Sequence, residues 1–530
     1  MSRSATPSAP SSSTGSQRDI AVLARGGTLN MLAALGGAVL NTVLLVQITR
    51  GYGRAAAGTF FVVTAFFLIV TSAAALGADT GVLRYIARAR ALRRPRDAVL
   101  VLRAALIPVA GLSVVLAVVI EVLAPRLSGL LGSAAAPQFR TAIRVMAPFL
   151  PVAVAYNVLL AATRGYGAMR PTALVERVGR VAVQCGAVAT VQLLSGHSMF
   201  LLCLAWAAPY LAGLAVAIAW LRRLHGRRYG VFAASADQPT ETRSSDDDVT
   251  PREFWRFSAF RGVSRLFAVA LQRLDVILVG SLRGPGDAAV YAAASRFLIV
   301  GLMAVQAIQQ VTAPKMSQLL ATQSHRRATV VYQTSTTWLM ASTWPLYLSF
   351  AVFAPTLLQV FGSGYSTGAV AVSVLCSAML VSTACGSVDS ILLMAGRSSW
   401  SVLNTGCALT TNVVADLILI PRHGILGAAI GWALAILVNN LLPLTMISRA
   451  MDMRPFSGSG RDVALLSVGC FGVLPLVARI VLGISVPVVT ATVALATVLY
   501  GLGLYARRRS MGLDELAAAL RRSRDPALLQ

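Results

Sequence analysis

Apolar stretches of membrane-spanning length recur along this chain from about residue 24 to residue 506, separated by shorter polar gaps. A bilayer core about 30 Å thick is crossed by roughly 20 apolar residues in a helix. On that measure the pattern predicts about 14 transmembrane helices, at approximately 24–49, 56–83, 98–123, 140–164, 173–195, 199–221, 254–282, 287–314, 329–361, 366–395, 400–421, 424–448, 461–484 and 486–506. The apolar run after Arg25 is too long for the core of a signal peptide and lacks a cleavage site, so it counts as the first span.

The gaps carry an orientation signal. Arg18 and Arg25, the six arginines between Arg84 and Arg96, Arg164 and Arg170, and Arg222, Arg223, Arg227 and Arg228 fall on one side. So do Lys315, Arg326 and Arg327, then Arg397, then Arg449, Arg454 and Arg461, and finally Arg507 to Arg509. The other side holds only Arg50, Arg54, Arg126, Arg140, Arg283 and Arg422. Cytoplasmic loops carry the Lys/Arg excess, which places both termini in the cytoplasm of a multi-pass protein of the cytoplasmic membrane.

Composition agrees. The 530 residues are 56% hydrophobic and 12% charged, whereas a soluble domain carries about 25% charged residues. A net charge of +26 in a soluble chain would point to nucleic acid. Here the charge sits at loop ends, next to anionic headgroups, so membrane lipids are the partner and nucleic acid is not. The six cysteines lie singly in apolar stretches and the four histidines are scattered, so neither a metal site nor a cofactor is expected. Residues 1–23 and 510–530 read as cytoplasmic tails, and 223–253, acidic and Ser/Thr-rich at Ser235–Asp248, as a cytoplasmic linker.

That linker divides two related halves, 24–222 and 254–449, with helices 13 and 14 (450–509) outside the repeat. A shift of 231 residues takes Arg25 to Arg256, Asn30 to Arg261, Asn41 to Gln272, Gly53 to Gly284, Phe60 to Tyr291 and Arg84 to Lys315. Six helices per half is an even number. The expected architecture is therefore an all-α membrane protein with two parallel six-helix lobes about a pseudo-two-fold axis along the membrane normal, plus two C-terminal helices.

Polar groups inside spans are costly at bilayer depth and mark transport paths. The seventh span is the richest: Ser258, Arg261, Arg265, Gln272 and Asp275 share a helical face, with Arg273 beside them. Arg261 and Arg265 are read as cavity residues that attract an anionic headgroup, since the guanidinium fork suits phosphate oxygens, the alternative being that Arg261 lies near the cytoplasmic interface and snorkels. Arg273 and Asp275 either face that cavity or pair with each other. Asn30 and Asn41 share a face of the first span, where Asn41 equally suits helix–helix bonding. Arg296 either meets a leaving substrate or snorkels. Asp389 and Asp416, with Asp275, are candidates for a coupling Na+ or H+. Glu176, Arg177 and Arg180 read as an ion pair opening the fifth span.

Several strings resemble a known family. AGTFFVVTAFFLI and LGADTGVLRYIAR, then RLDVILVGSLRGPGDAAVYAAASRFL and LLMAGRSSWSVLNTGCALTTNVVADLILIPRHGILGAAIGWALA, are similar to polysaccharide-export flippases. These are the Wzx-type branch of the multidrug/oligosaccharidyl-lipid/polysaccharide (MOP) exporter superfamily. The resemblance covers about residues 20–450 and implies a non-enzymatic carrier of a polyprenyl-diphosphate-linked oligosaccharide, working by alternating access. A lipid II flippase, a cation-coupled drug exporter of the same superfamily, and a membrane polysaccharide polymerase or ligase are the alternatives. Short outer gaps disfavour an enzyme. The one lysine, Lys315, stands in Pro-Lys-Met rather than in a phosphate-binding loop, so ATP is not the energy source.

Overall fold

A computed structural model describes residues 13–92, 94–129, 135–194, 196–233, 250–396, 398–483 and 485–507. Residues 1–12, most of the 223–253 linker, Arg397 and the 510–530 tail lie outside the described residues. Everything described is helix or connection; there is no strand among these residues. In a bilayer this is what backbone satisfaction requires of an unclosed chain.

In the first half, α1 (Ser13–Ala75) turns back at Gly53 and is followed by α2 (Ala78–Ala91), α3 (Pro95–Ser128), α4 (Ala136–Met146) and α5 (Leu150–Gly165). A π-helical segment, Thr172–Gly179, leads into α6 (Arg180–Leu194), then α7 (Met199–Ala207) and α8 (Pro209–Ala233). The second half comprises α9 (Pro251–Arg283), α10 (Pro285–Ala294), α11 (Arg296–Ala321), α12 (His325–Val352), α13 (Ala354–Leu358), α14 (Ala369–Ala384), α15 (Val388–Met394), α16 (Ser398–His423) and α17 (Ile425–Met451). Last come α18 (Gly458–Ser467) and α19 (Leu474–Leu482), which pack on α12, and α20 (Val486–Ala506), which packs on α18 and α19 and reaches α12 through a bond from the Tyr500 hydroxyl to the Ala341 carbonyl.

Among the described residues ten helices are long and apolar enough to cross a membrane, or eleven if the bent pair His325–Val352 and Ala354–Phe361 counts as one span. The sequence pattern counted 14, and the difference has physical causes. The Leu32–Ala75 stretch is one unit of 44 residues, about twice the length a bilayer needs. The segments around Arg180 and from Arg261 to Asp275 carry too much charge to qualify.

The repeat is visible in the backbone. Gly53 (φ 74°, ψ 168°) and Gly284 (φ 98°, ψ 165°), matched by the 231-residue shift, make the same turn in a region that side chains avoid. The halves meet along two seams. On the arginine-rich side Gly77 and Gly262 bring two backbones together: a Cβ on Gly77 would lie 2.2 Å from the Ser258 carbonyl oxygen and 2.5 Å from the Gly262 nitrogen. Around that contact Trp255 Nε1 donates to the Ala104 carbonyl at 3.2 Å, and Tyr85 packs on Phe254 and Phe257. On the arginine-poor side α1 packs on α10, where a Cβ on Gly58 would lie 1.6 Å from the Pro285 carbonyl oxygen.

Candidate functional site

Three interruptions of helical geometry surround one point at the centre of the molecule. The π-helical turns of Thr172–Gly179 shift the register just before Arg180. Pro209 separates α7 from α8 and sets Trp206 and Tyr210 on either side of the break. Ser295 ends α10, its hydroxyl donating to the Ala292 carbonyl at 3.1 Å, so that Arg296 opens α11 inside the protein. Gly37 lets α1 approach the π segment, since a Cβ there would lie 2.6 Å from the Arg177 carbonyl oxygen.

Two cavities meet at this point. The upper one, about 1140 Å³, is lined by Asn41, Gln47, Arg50, Gln184, Gln192, Trp206, Arg296 and apolar side chains from α1 and α11. Its described lining holds no Asp or Glu. The lower one, about 430 Å³, faces the arginine-rich ends of the helices and is lined by Asp79, Arg164, Glu176, Arg265 and Gln272 among others. Leu68, Arg180, Tyr210 and Arg273 line both cavities and so form the neck between them.

The neck is cationic. The Arg180 guanidinium lies 4.8 Å from the Tyr210 ring centroid and donates to Gln184 Oε1 at 3.1 Å. Gln184 is itself fixed by a 2.7 Å bond from its Nε2 to the Trp206 carbonyl. An edge-to-face aromatic cluster of Phe60, Phe67, Trp206 and Tyr210 backs this arrangement. The Nε atoms of Arg180 and Arg296 are buried with no hydrogen-bond acceptor. Donors in that state favour an incoming anion, because a charged buried donor left unsatisfied costs more than a neutral one.

The predicted residues divide accordingly. Arg265, Gln272 and Arg273 line the lower cavity, while Arg273, Arg296 and Asn41 line the upper one. Asn41 bonds back to the Gly37 carbonyl of its own helix at 2.8 Å, so it does not join two helices. Arg261 lines neither cavity, against the expectation; it is half-buried near the glycine seam. Ser258, on the same stripe, is fully buried against Gly81. The side chain of Asn30 lies outside the described part of the structure.

Asp275 is a second correction: it neither lines the cavities nor pairs with Arg273. It is buried at the α9–α10–α16 junction, where Tyr291 donates to its Oδ2. Asp416 and Asn412 of α16 complete the cluster. The two carboxyls lie close together, and Asn412 Nδ2 lies 3.4 Å from Asp416 Oδ2. One oxygen of each carboxyl has no hydrogen-bond partner, and Gly431 leaves the space beside Asp416 Oδ1. Asp389 is not part of this cluster; Ser401 Oγ donates to its Oδ1 at 2.6 Å.

Arg180 and Arg164 were missed as site residues. Arg180 was assigned to an ion pair opening its span, although it lies seven residues inside the predicted start at 173, about 10 Å deep. That depth was the available signal.

A structure of the lipid II flippase MurJ in an inward closed conformation superposes with a TM-score of 0.70 at 9% identity, covering 91% of this chain and 100% of that one. An inward-facing multidrug resistance MATE family transporter of the MOP superfamily gives 0.62 at 16% identity, over 80% of this chain and 98% of that one. At such identities the likeness establishes a shared fold. Among curated proteins, the probable low-salt glycan biosynthesis flippase Agl15 of Haloferax volcanii is 22% identical over 252 residues. That match takes in 46% of this chain and 49% of the relative, so the chain spans about half the length of the curated relative it matches. The sequence profile described as polysaccharide biosynthesis protein matches residues 23–320. With more than half of its residues inside that match and the superfamily's fold around them, this multi-pass membrane chain belongs to the polysaccharide biosynthesis protein family.

Proposed function

We propose that the protein is a flippase that carries a polyprenyl-diphosphate-linked oligosaccharide across the cytoplasmic membrane for cell-surface polysaccharide synthesis. The observation that carries this reading is the neck between the cavities. Arg180 comes from the first half of the chain and Arg273 from the second, Arg296 of the second half lines the upper cavity beside them, and the described lining of that cavity holds no Asp or Glu. Like charges in a low-dielectric site repel unless an anion lies between them. A diphosphate satisfies three guanidinium groups at once, whereas an organic cation would be repelled, which disfavours drug efflux. The amides of Asn41, Gln184 and Gln192 and the aromatic wall suit sugar hydroxyls and faces.

In this reading the two halves are lobes that rock about the neck, both termini lie in the cytoplasm, and the lower cavity admits the headgroup while the lipid tail stays in the bilayer. The protein acts as a carrier, not an enzyme. The Asp275–Asp416 pair is the site for a coupling Na+ or H+, because two buried carboxyls close together share a proton or a cation. Support for the cargo class comes from the relatives: a probable glycan biosynthesis flippase by sequence and a lipid II flippase by fold.

The test is reconstitution in liposomes with fluorescent polyprenyl-diphosphate sugars, reading headgroup access from each side. Acceleration over protein-free liposomes is expected. No acceleration with any such lipid would reject the proposal.

A further inference from the structure

Arginines are scarce on the side that the orientation rule assigns to the exterior, and two of them bridge the halves there. Arg50 of the first half donates from Nε to the Val360 carbonyl of the second half at 2.8 Å. Arg54 Nη2 lies 3.7 Å from Asp287 Oδ1, also across the halves, and Arg283 Nε lies 3.8 Å from Asp287 Oδ2. Val360 belongs to a short cap, Ala354–Phe361, that bends by 81° away from α12. Arg50 and Val360 both line the upper cavity, so the bond between them closes the cap over that cavity from inside it.

The two seams differ in what holds them. The arginine-rich seam has backbone-to-backbone contact at Gly77–Gly262 with aromatic packing around it and one exposed ion pair, Arg88–Glu253. The arginine-poor seam adds to its Gly58–Pro285 contact one bond to a neutral carbonyl and one long ion pair across the halves, Arg54–Asp287, on side chains about one-third exposed, while Arg283 meets Asp287 from within the second half. Exposed pairs of this kind contribute little, so the side-chain part of this seam is readily broken. An ionised acceptor, moreover, binds a guanidinium roughly twice as strongly as a neutral one does.

We propose that Arg50 is a cargo-responsive latch. It holds the Ala354–Phe361 cap shut until an anionic headgroup in the upper cavity takes its guanidinium, while Arg54 on Asp287, which Arg283 also meets from its own half, sets the resting closure. This rests on the flippase reading for the identity of the anion, and on that reading for the outward position of the cap.

The test places a cysteine at Met303, on the upper-cavity wall, in a chain with Cys407 replaced by Ala, the other five cysteines being buried. Labelling by a membrane-impermeant maleimide is followed from outside proteoliposomes, with undecaprenyl diphosphate as probe and undecaprenol as neutral control. Each variant is first matched to the wild type in elution profile and thermal midpoint. The diphosphate, and not the alcohol, should raise wild-type labelling severalfold. Arg50→Ala should label severalfold faster without lipid and respond no further. Arg50→Lys should restore the low baseline, and Asp287→Asn should raise the baseline while keeping the lipid response. If the wild type responds to the diphosphate but Arg50→Ala keeps the wild-type baseline, the latch is overturned and the flippase reading stands. If undecaprenyl diphosphate does not move the wild type although Arg50→Ala is open, the cargo trigger is overturned, and the flippase reading stands or falls on the liposome flipping assay.

Discussion

At the scale of single residues, the neck and the carboxyl pair make opposite demands. Arg180, Arg273 and Arg296 have donors to offer, so their removal should weaken cargo capture without harming the fold. A hydrogen bond to a charged group contributes about 1.5–3 kcal/mol. Arg180→Ala or Arg273→Ala should therefore slow flipping about 10- to 100-fold at unchanged expression, whereas Arg261→Ala, whose side chain lines neither cavity, should slow it little. Initial rates in liposomes check this, and equal losses at all three positions would remove the neck from the path. Asp275 and Asp416 present the reverse case, two buried carboxyls close together. Asp416→Asn keeps the volume and removes one charge. It should leave thermal stability equal or higher, since replacing one of two like groups relieves repulsion, and it should abolish the dependence of transport on a Na+ or H+ gradient. A variant that retains full gradient dependence would show that coupling lies elsewhere. The sequence pointed to intramembrane Arg273, Arg296, Asp275 and Asp416 because charge at bilayer depth is conspicuous. It did not show that Asp275 turns from Arg273 towards Asp416, because that choice depends on a contact between helices 141 positions apart in the chain (275 to 416).

At the scale of elements, the helices were legible and their interruptions were not. Apolar periodicity and length locate a span, and arginines in alternate gaps give its direction. A break inside a span leaves the hydropathy unchanged, so the π segment before Arg180, the Ala207–Pro209 step and the Ser295 break left no mark in the pattern, although Pro209 hinted at one of them. The 44-residue unit from Leu32 to Ala75 shows the converse, two spans joined through a glycine that the repeat had singled out. Close helix approach is another contact-level property that hydropathy does not report. Gly77 has φ 72°, and a Cβ on it would meet the backbone of Ser258 and Gly262 at 2.2–2.8 Å. Gly77→Ala therefore combines a left-handed alanine with a backbone clash, each costing on the order of 1–3 kcal/mol. A fall of several degrees in the thermal midpoint in detergent is expected. Gly111→Ala, with open space around its Cβ, is the control and should leave the midpoint unchanged.

At the scale of the whole molecule, the two seams settle which conformation the chain adopts at rest, and both are closed here. On the arginine-rich side Glu253 of the second half joins the first. Its Oε1 lies 3.6 Å from Arg88 Nη1 and accepts from the Tyr85 hydroxyl at 3.3 Å. The ion pair is about 40% exposed on each partner, so solvent screens it, and its contribution is about 0.2–1 kcal/mol. The Arg84 guanidinium, 4.3 Å from the Phe257 ring centroid, and the glycine contact add apolar and backbone terms that the ion pair does not carry. The proposed alternating-access cycle requires this seam to part each time, so on that reading Glu253 should tune the frequency of opening rather than decide whether opening occurs. Glu253→Gln should raise maleimide labelling of a cysteine at Asn157, on the lower-cavity wall, by at most about fivefold, the population change that 1 kcal/mol permits. Raised ionic strength should mimic the substitution in the wild type and add nothing in the variant, because the screened pair is the one removed. Labelling that rises 100-fold would mean that the glycine and aromatic contacts do not hold this side closed as described, and labelling that ignores both salt and substitution would mean that the Arg88–Glu253 pair contributes nothing to the seam.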